Sequence, residues 1–111
     1  MDNLHDLTAW EHEGVQVEYH EGYHDHYCIV QTTERPELYH KVIFDSRTPG
    51  VFFMGMFEAS LTHAAIATHN ASSLQEVKQY ILEDITMDER EVEVRVVAQS
   101  VYNNDYHVEY R

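Results

Sequence analysis

The chain has 111 residues, of which 43% are hydrophobic and 12% aromatic, so we expect one folded domain over residues 1–111. Twenty Asp and Glu side chains oppose seven Lys and Arg side chains, and the formal net charge is -13. A field of that sign repels phosphate groups, which argues against direct nucleic-acid binding and against association with anionic membranes.

The single cysteine, Cys28, excludes an internal disulfide and a cage of thiolate metal ligands. Its strand-like neighbours Tyr27 and Ile29 predict a small buried residue with a raised pKa, not a nucleophile. The first residues lack the basic and apolar segments of a signal peptide, and the longest apolar run, 51–57, is too short to span a bilayer. We therefore expect a cytoplasmic protein without membrane association.

In chain order, four strands are predicted before residue 58. Residues 15–19 alternate apolar and polar side chains, and residues 27–33 and 38–45 are rich in β-branched and aromatic side chains. A turn at 46–50 contains Pro and Gly. The run 51–57 is apolar throughout, which is typical of a central strand that is covered on both faces.

The segment 58–71 fits two patterns. Apolar residues recur at helical spacing through its first half, which favours a second short helix over 58–68. Residues 62–68 also alternate as a strand does, and the sequence leaves both structures open.

The main helix is predicted over 73–85. Ser73 and Glu76 have the S-x-x-E spacing of a capping box, in which the hydroxyl accepts from the Glu76 amide and the carboxylate accepts from the Ser73 amide. One apolar stripe runs along the helix, formed by Leu74, Val77, Ile81 and Ile85. The pair Glu83 and Asp84 is expected to lie in solvent.

Two further strands are predicted at the end of the chain. Residues 92–96 alternate Val with charged residues, 103–105 is interpreted as a hairpin turn, and 106–110 is interpreted as the last strand. The predicted fold class is α+β: a mainly antiparallel sheet of five to six strands, with the helix 73–85 packed on one face.

The histidines near the first turn are the only candidate metal ligands. His20, His24 and His26 stand beside carboxylates, a combination that suits zinc, but their spacing matches no closed zinc site. A solvated His-rich loop is the favoured interpretation, with no metal or other cofactor. No glycine-rich phosphate loop and no motif for nucleophilic catalysis occurs, so we expect a protein that is not an enzyme.

The expected function is an interaction or regulatory role as a homodimer. One helix covers one sheet face, so the apolar run needs a second cover, and a two-fold partner is the commonest solution. The predicted interface residues are Val51, Phe53, Met54, Met56 and Phe57. One alternative is an acidic inhibitor that mimics nucleic acid and binds a protein partner with a basic surface. A His-rich metal-binding protein is another.

Overall fold

A computed structural model of the chain describes residues 3–59 and 64–109. It confirms the α+β class, with an antiparallel sheet of five strands and two α-helices. The strands follow one another in the sheet in chain order, so each pairs with its sequence neighbours. They are β1 (Val15–Glu21), β2 (Asp25–Thr32), β3 (Leu38–Asp45), β4 (Phe52–Glu58) and β5 (Ala67–Ala71), and the helices are α1 (Leu74–Asp84) and α2 (Glu89–Glu109).

The register of the strands divides the sheet into two chemically different faces. One continuous row across the sheet pairs Tyr19 with Cys28, Cys28 with Val42, Val42 with Met54, and Met54 with His69. Side chains in this row and at every second position along each strand face the helices, because side chains alternate across a sheet. We call this the covered face, and the other the open face.

The predicted helix is confirmed as α1, with Ser73 as its N-cap and Ile85 as its C-cap. The Ser73 hydroxyl accepts a hydrogen bond from the Glu76 amide at 3.2 Å. The Glu76 carboxylate accepts from the Ser72 hydroxyl at 2.7 Å and from the Ser72 amide at 3.3 Å, in place of the predicted Ser73 amide. The apolar stripe of α1 packs on the covered face, where Val77 and Ile81 are fully buried.

A 3-10 helix, Leu4–Ala9, closes the covered face beside β1 and β2. Its buried anchors are Leu4 and Leu7, whereas Trp10 is only partly buried. Asn3 caps this helix by accepting a hydrogen bond from the His5 amide. The small apolar core of a 111-residue chain is thereby extended to the first strand.

The two strands predicted over 92–96 and 106–110, and the hairpin turn between them, are wrong. The described chain from Glu89 to Glu109 is one α-helix of 21 residues. Val92 and Val96 are four residues apart, so they share one side of this helix and pack with Leu38, Met56 and Ile66. Position 110 of the predicted strand lies outside the described residues.

The start of α2 has its own local support. The Asp88 carboxylate accepts a hydrogen bond from the Arg90 amide at 2.7 Å, and Glu89 and Glu91 place negative charge in the first turn. Both features stabilise a helix N-terminus, whose amides are unpaired and carry partial positive charge.

The predicted second helix over 58–68 is also wrong where the structure describes it. Glu58 ends β4, Ile66 donates its amide to the Met56 carbonyl, and β5 begins at Ala67. The positions 60–63 of that prediction lie outside the described residues. The fifth strand of the sheet is therefore β5. The alternation of side chains over 62–68 correctly indicated a strand at residues 67 and 68, where β5 begins.

Among the described residues, neither α-helix combines the length and the apolar character that crossing a membrane requires.

Candidate functional site

The five predicted interface residues separate between the two faces of the sheet. Met54 and Met56 are core residues on the covered face, with 4% and 0% of their surface exposed. They are not available at a surface, because the alternation along β4 turns them toward the helices. Phe53 and Phe57 lie on the open face, and Val51 is half-buried just before β4 begins.

The open face carries a cluster of large apolar side chains. The described residues form two apolar cores, one against α1 and one against α2. All the strand residues in these two cores lie on the covered face. Phe53 is 38% exposed, and its neighbours on this face are half-buried. Tyr39 stacks on Phe57, with ring centroids 5.2 Å apart. The apolar cluster consists of Tyr27, Ile29, Tyr39, Ile43, Phe53 and Phe57.

Ala65, between β4 and β5, lies against one part of this face. A Cβ atom built on Gly55 would lie 3.0 Å from the Phe57 ring and 3.2 Å from the Ala65 Cβ atom. Gly55 is therefore needed for Ala65 to approach the sheet this closely. The contact reduces the accessible apolar area near β4, and among the described residues the part of the face on β2 and β3 has no such cover.

Charge is sparse at the centre of the open face. Glu18 and Lys41 stand in the same cross-strand row, and the Lys41 ammonium lies 4.7 Å from the centroid of the Tyr27 ring. At the rim, Arg47 lies 2.7 Å from Asp45 and 3.6 Å from Asp25. The face is thus close to neutral on a chain whose net charge is -13.

The three candidate metal ligands do not converge. His20 lies on the open face, with its Nε2 3.0 Å from a Glu18 oxygen, whereas His26 lies on the covered face opposite Phe44. His24 lies in the turn between β1 and β2 and contacts Tyr23 edge-on. No group of three or more His, Cys, Asp or Glu side chains within the described ranges is arranged to hold a metal ion. The metal-binding alternative receives no support from this arrangement.

Cys28 lies on the covered face and is completely buried. Its thiol lies 3.9 Å from the Leu4 carbonyl oxygen, beneath the 3-10 helix. Burial raises the pKa of this thiol to about 11. Desolvation disfavours the thiolate, which is the nucleophilic form, so the structure gives Cys28 a packing role.

We expect the Cys28 thiol to resist modification by dithionitrobenzoate in the native protein at pH 8. A thiol with so high a pKa holds on the order of a hundredfold less thiolate at pH 8 than an ordinary cysteine does, and burial also excludes the reagent. The absorbance of the released thionitrobenzoate measures the rate. The same chain unfolded in urea is the control and should react at the rate of a model thiol. Equal rates for the two states would contradict the buried position.

Three polar side chains form a buried cluster where α1 ends. His40 on β3 and His69 on β5 both point to the covered face, and both contact the carboxylate of Asp84. The Asp84 Oδ2 atom lies 2.8 Å from His40 Nε2 and 2.9 Å from His69 Nε2. His40 is 1% exposed and Asp84 is 6% exposed, so this pairing takes place inside the core.

The hydrogen-bond roles in this cluster depend on the state of Asp84. When Asp84 is ionised its carboxylate only accepts hydrogen bonds, and His40 and His69 then each donate an Nε2–H group to it. A carboxylate is tolerated in the core only when such donors replace water. The cluster therefore joins the C-terminal end of α1 to β3 and β5, and it holds both imidazoles in one tautomer.

His69 is oriented by a second contact. Its ring lies parallel to the Tyr80 ring within 10°, with centroids 4.2 Å apart. Stacking and the hydrogen bond to Asp84 together leave the imidazole of His69 little freedom. In the neutral tautomer that donates Nε2–H to Asp84, the other ring nitrogen, Nδ1, is a hydrogen-bond acceptor held in a fixed orientation.

An open cleft of about 500 Å³ begins at this imidazole and follows β5 toward α2. His69 and Asp84 lie at one end of the cleft, and Arg95 and Gln99 of α2 line it as well. Its remaining lining includes the apolar residues Ala65, Ile66, Ala67 and Met87. The cleft is a second candidate site, separate from the open face.

Comparison of this chain with protein-family models, curated protein sequences and solved structures found no match in any of the three.

The sequence contained a signal for the buried cluster. Alternation along 38–45 places His40 on the same face as Leu38 and Val42, where a polar residue is unusual. Asp84 follows Ile81 by three residues and Val77 by seven, so it lies on the apolar stripe of α1. The prediction that Asp84 lies in solvent with Glu83 is wrong: Glu83 is exposed and Asp84 is buried.

Proposed function

We propose that the protein acts as a homodimeric interaction module that associates through the open face of its sheet. The observation that carries this proposal is the cluster of six large apolar side chains there, from Tyr27 to Phe57, which neither α-helix covers in the described part of the chain. Contiguous apolar patches of this kind on soluble proteins commonly mark interaction sites.

Charge favours a second copy of the chain as the occupant. Two chains with net charge -13 repel each other at most surfaces, but among the described residues the centre of the open face carries one acidic and one basic side chain, Glu18 and Lys41. Screening at physiological salt limits the remaining repulsion to about 8 Å. The open face is therefore a region of the surface where two copies can approach without bringing many carboxylates together.

The size of the face is sufficient for a specific contact of modest strength. Five strands spaced about 4.8 Å apart and roughly 20 Å long present about 500 Å² in each subunit, or about 1,000 Å² in a dimer. An area of about 1,000 Å² is the lower limit for a specific interface and lies below the roughly 1,200–2,000 Å² that stable interfaces bury. At about 25 cal/mol per Å², the burial of its apolar part outweighs screened surface repulsion.

We expect sedimentation equilibrium at physiological salt to give a dimer mass at tens of micromolar protein. Replacing Phe53 with Lys should raise the dissociation constant at least about tenfold, because it buries an ammonium group in the apolar contact. The substitution lowers the net negative charge, so weaker association would not result from added repulsion.

Val94→Lys is the matched control for this experiment. Val94 is 62% exposed on α2, away from the open face, and the substitution makes the same change in charge. This variant should remain dimeric. A wild-type monomer at tens of micromolar would overturn the proposal, and loss of the dimer in Val94→Lys alone would place the interface on α2.

The acidic surface supports a second candidate function, in which the protein occupies the basic groove of a nucleic-acid-handling enzyme. This function is supported by the charge of the chain, which has 20 acidic and seven basic side chains. Salt distinguishes the two functions. Association through an apolar face persists in 1 M sodium chloride, whereas binding between a carboxylate surface and a basic groove is lost.

A further inference from the structure

The cleft along β5 has a hydrogen-bond acceptor at one end. In the neutral tautomer of His69 that donates Nε2–H to Asp84, the lone pair is on Nδ1. The side chain of His69 is 23% exposed, whereas that of Asp84 is 7% exposed. The imidazole is thus the part of the buried cluster that a molecule in the cleft can reach.

Arg95 supplies a cation farther along the same cleft. Its Nη1 donates to the Ile66 carbonyl at 2.7 Å, and its Nη2 donates to Glu91 at 3.0 Å. A guanidinium group has five N–H donors, so these two bonds hold the group in place and leave three donors. The side chain of Arg95 is 39% exposed and lines the cleft.

The extended chain sets the separation between the Arg95 guanidinium and the His69 imidazole. Arg95 is hydrogen-bonded to the Ile66 carbonyl, and His69 follows Ile66 by three residues, which is about 10 Å of extended chain. The cleft between them is bordered by apolar side chains, including Ala67 and Met87. A ligand that satisfies both ends needs an apolar body of comparable length.

We propose that this cleft binds a small organic anion whose carboxylate contacts Arg95 and whose hydroxyl group donates a hydrogen bond to His69 Nδ1. Asp84 and Tyr80 are positioning residues in this site, because they fix the tautomer and the plane of the imidazole. The negative field of the whole chain opposes an anion, but it is screened within about 8 Å at physiological salt, and the guanidinium is adjacent. The proposal does not depend on the oligomeric state.

The test uses para-hydroxyphenylpropionate, in which an aromatic ring and a short chain separate a hydroxyl group from a carboxylate. Titration into the full-length, isotope-labelled chain should shift amide resonances of Thr68, His69, Arg95 and Gln99. Phenylpropionate lacks the hydroxyl group and para-ethylphenol lacks the carboxylate. Each should bind about five- to tenfold more weakly, as expected for the loss of one hydrogen-bonded group.

Variants identify the two ends of the site. Arg95→Gln should remove the preference for para-hydroxyphenylpropionate over para-ethylphenol, and Arg90→Gln, an exposed position on the same helix outside the cleft, should retain it. His69→Gln keeps a donor for Asp84, and it should remove the preference for the hydroxylated probe. The absence of shifts at cleft residues at tens of millimolar probe, or equal affinities for the three compounds, would overturn the proposal. If His69→Gln does not fold, the comparison of Arg95→Gln with Arg90→Gln still tests whether the anion binds in the cleft.

Discussion

Replacing Asp84 with Ala should lower the free energy of unfolding by about 1–3 kcal/mol, as is typical when a buried donor loses its acceptor. The carboxylate accepts hydrogen bonds from His40 at 2.8 Å and from His69 at 2.9 Å. Without it, the Nε2–H group of His40 remains in the core with no acceptor, because His40 is 1% exposed. An unpaired buried donor retains the full cost of its desolvation.

Urea denaturation followed by circular dichroism measures this effect at a fixed protein concentration. Glu83→Ala is the matched control, since it removes a neighbouring carboxylate from an exposed position of α1 and should change stability by less than about 0.5 kcal/mol. Asp84→Asn should lie between the two, because the amide still offers one acceptor oxygen. Equal stability of the Ala variants at 83 and 84 would mean that the cluster is solvated.

Replacing Ile81 with Ala should lower the free energy of unfolding by about 2–5 kcal/mol, the usual range for truncation of a buried aliphatic side chain. Ile81 is completely buried at the centre of the α1 stripe, in the cluster that contains Val42 and Met54. The loss combines the transfer free energy of the missing methyl and methylene groups with the cost of the cavity. The size of the loss in stability depends on how far α1 moves toward the sheet to fill the cavity.

Gln79→Ala on the exposed side of α1 controls for the helix propensity of the substituted residue. It should leave stability unchanged or slightly raised. Both variants are compared by their urea midpoints at equal slope, so that a change in the denatured state is not mistaken for a loss of packing. A difference below about 0.5 kcal/mol between them would show that the stripe of α1 does not pack on the sheet.

The two proposed sites occupy different surfaces of one small domain. The open face lies on the opposite side of the sheet from α1, whereas the cleft lies where β5, the end of α1 and the first half of α2 meet. A substitution at Phe53 therefore tests association without altering the cleft. Substitution of Arg95 similarly tests ligand binding without altering the open face.

Local chemistry in the sequence determined the first four strands and α1. The alternation in β1 and β3, the Pro–Gly turn before β4 and the Ser73 cap each act over a few residues, so they predict structure without knowledge of the rest of the fold. The S-x-x-E pair predicted the start of α1 correctly, although Glu76 bonds to Ser72 instead of Ser73. These features also predicted the α+β class.

The C-terminal helix was decided by tertiary contacts. Val92, Val94 and Val96 satisfy strand alternation, but the first and third are also four residues apart and can share one side of a helix. Packing of Val92 and Val96 against Leu38 and Met56 selects the helix, and Val94 is then exposed. Periodicity over five residues is too short to distinguish these two structures.

The candidate sites show the same division. The sequence by itself determined that the run 51–57 is apolar throughout, and the fold then placed Met54 and Met56 in the core and Phe53 and Phe57 on the open face. Only the tertiary structure decided that His40, His69 and Asp84 meet. They come from two strands and a helix end, 44 and 15 residues apart along the chain. The sequence places His40 and Asp84 among apolar residues but does not pair them, and their chemistry arises because folding places one carboxylate between two imidazoles inside the core.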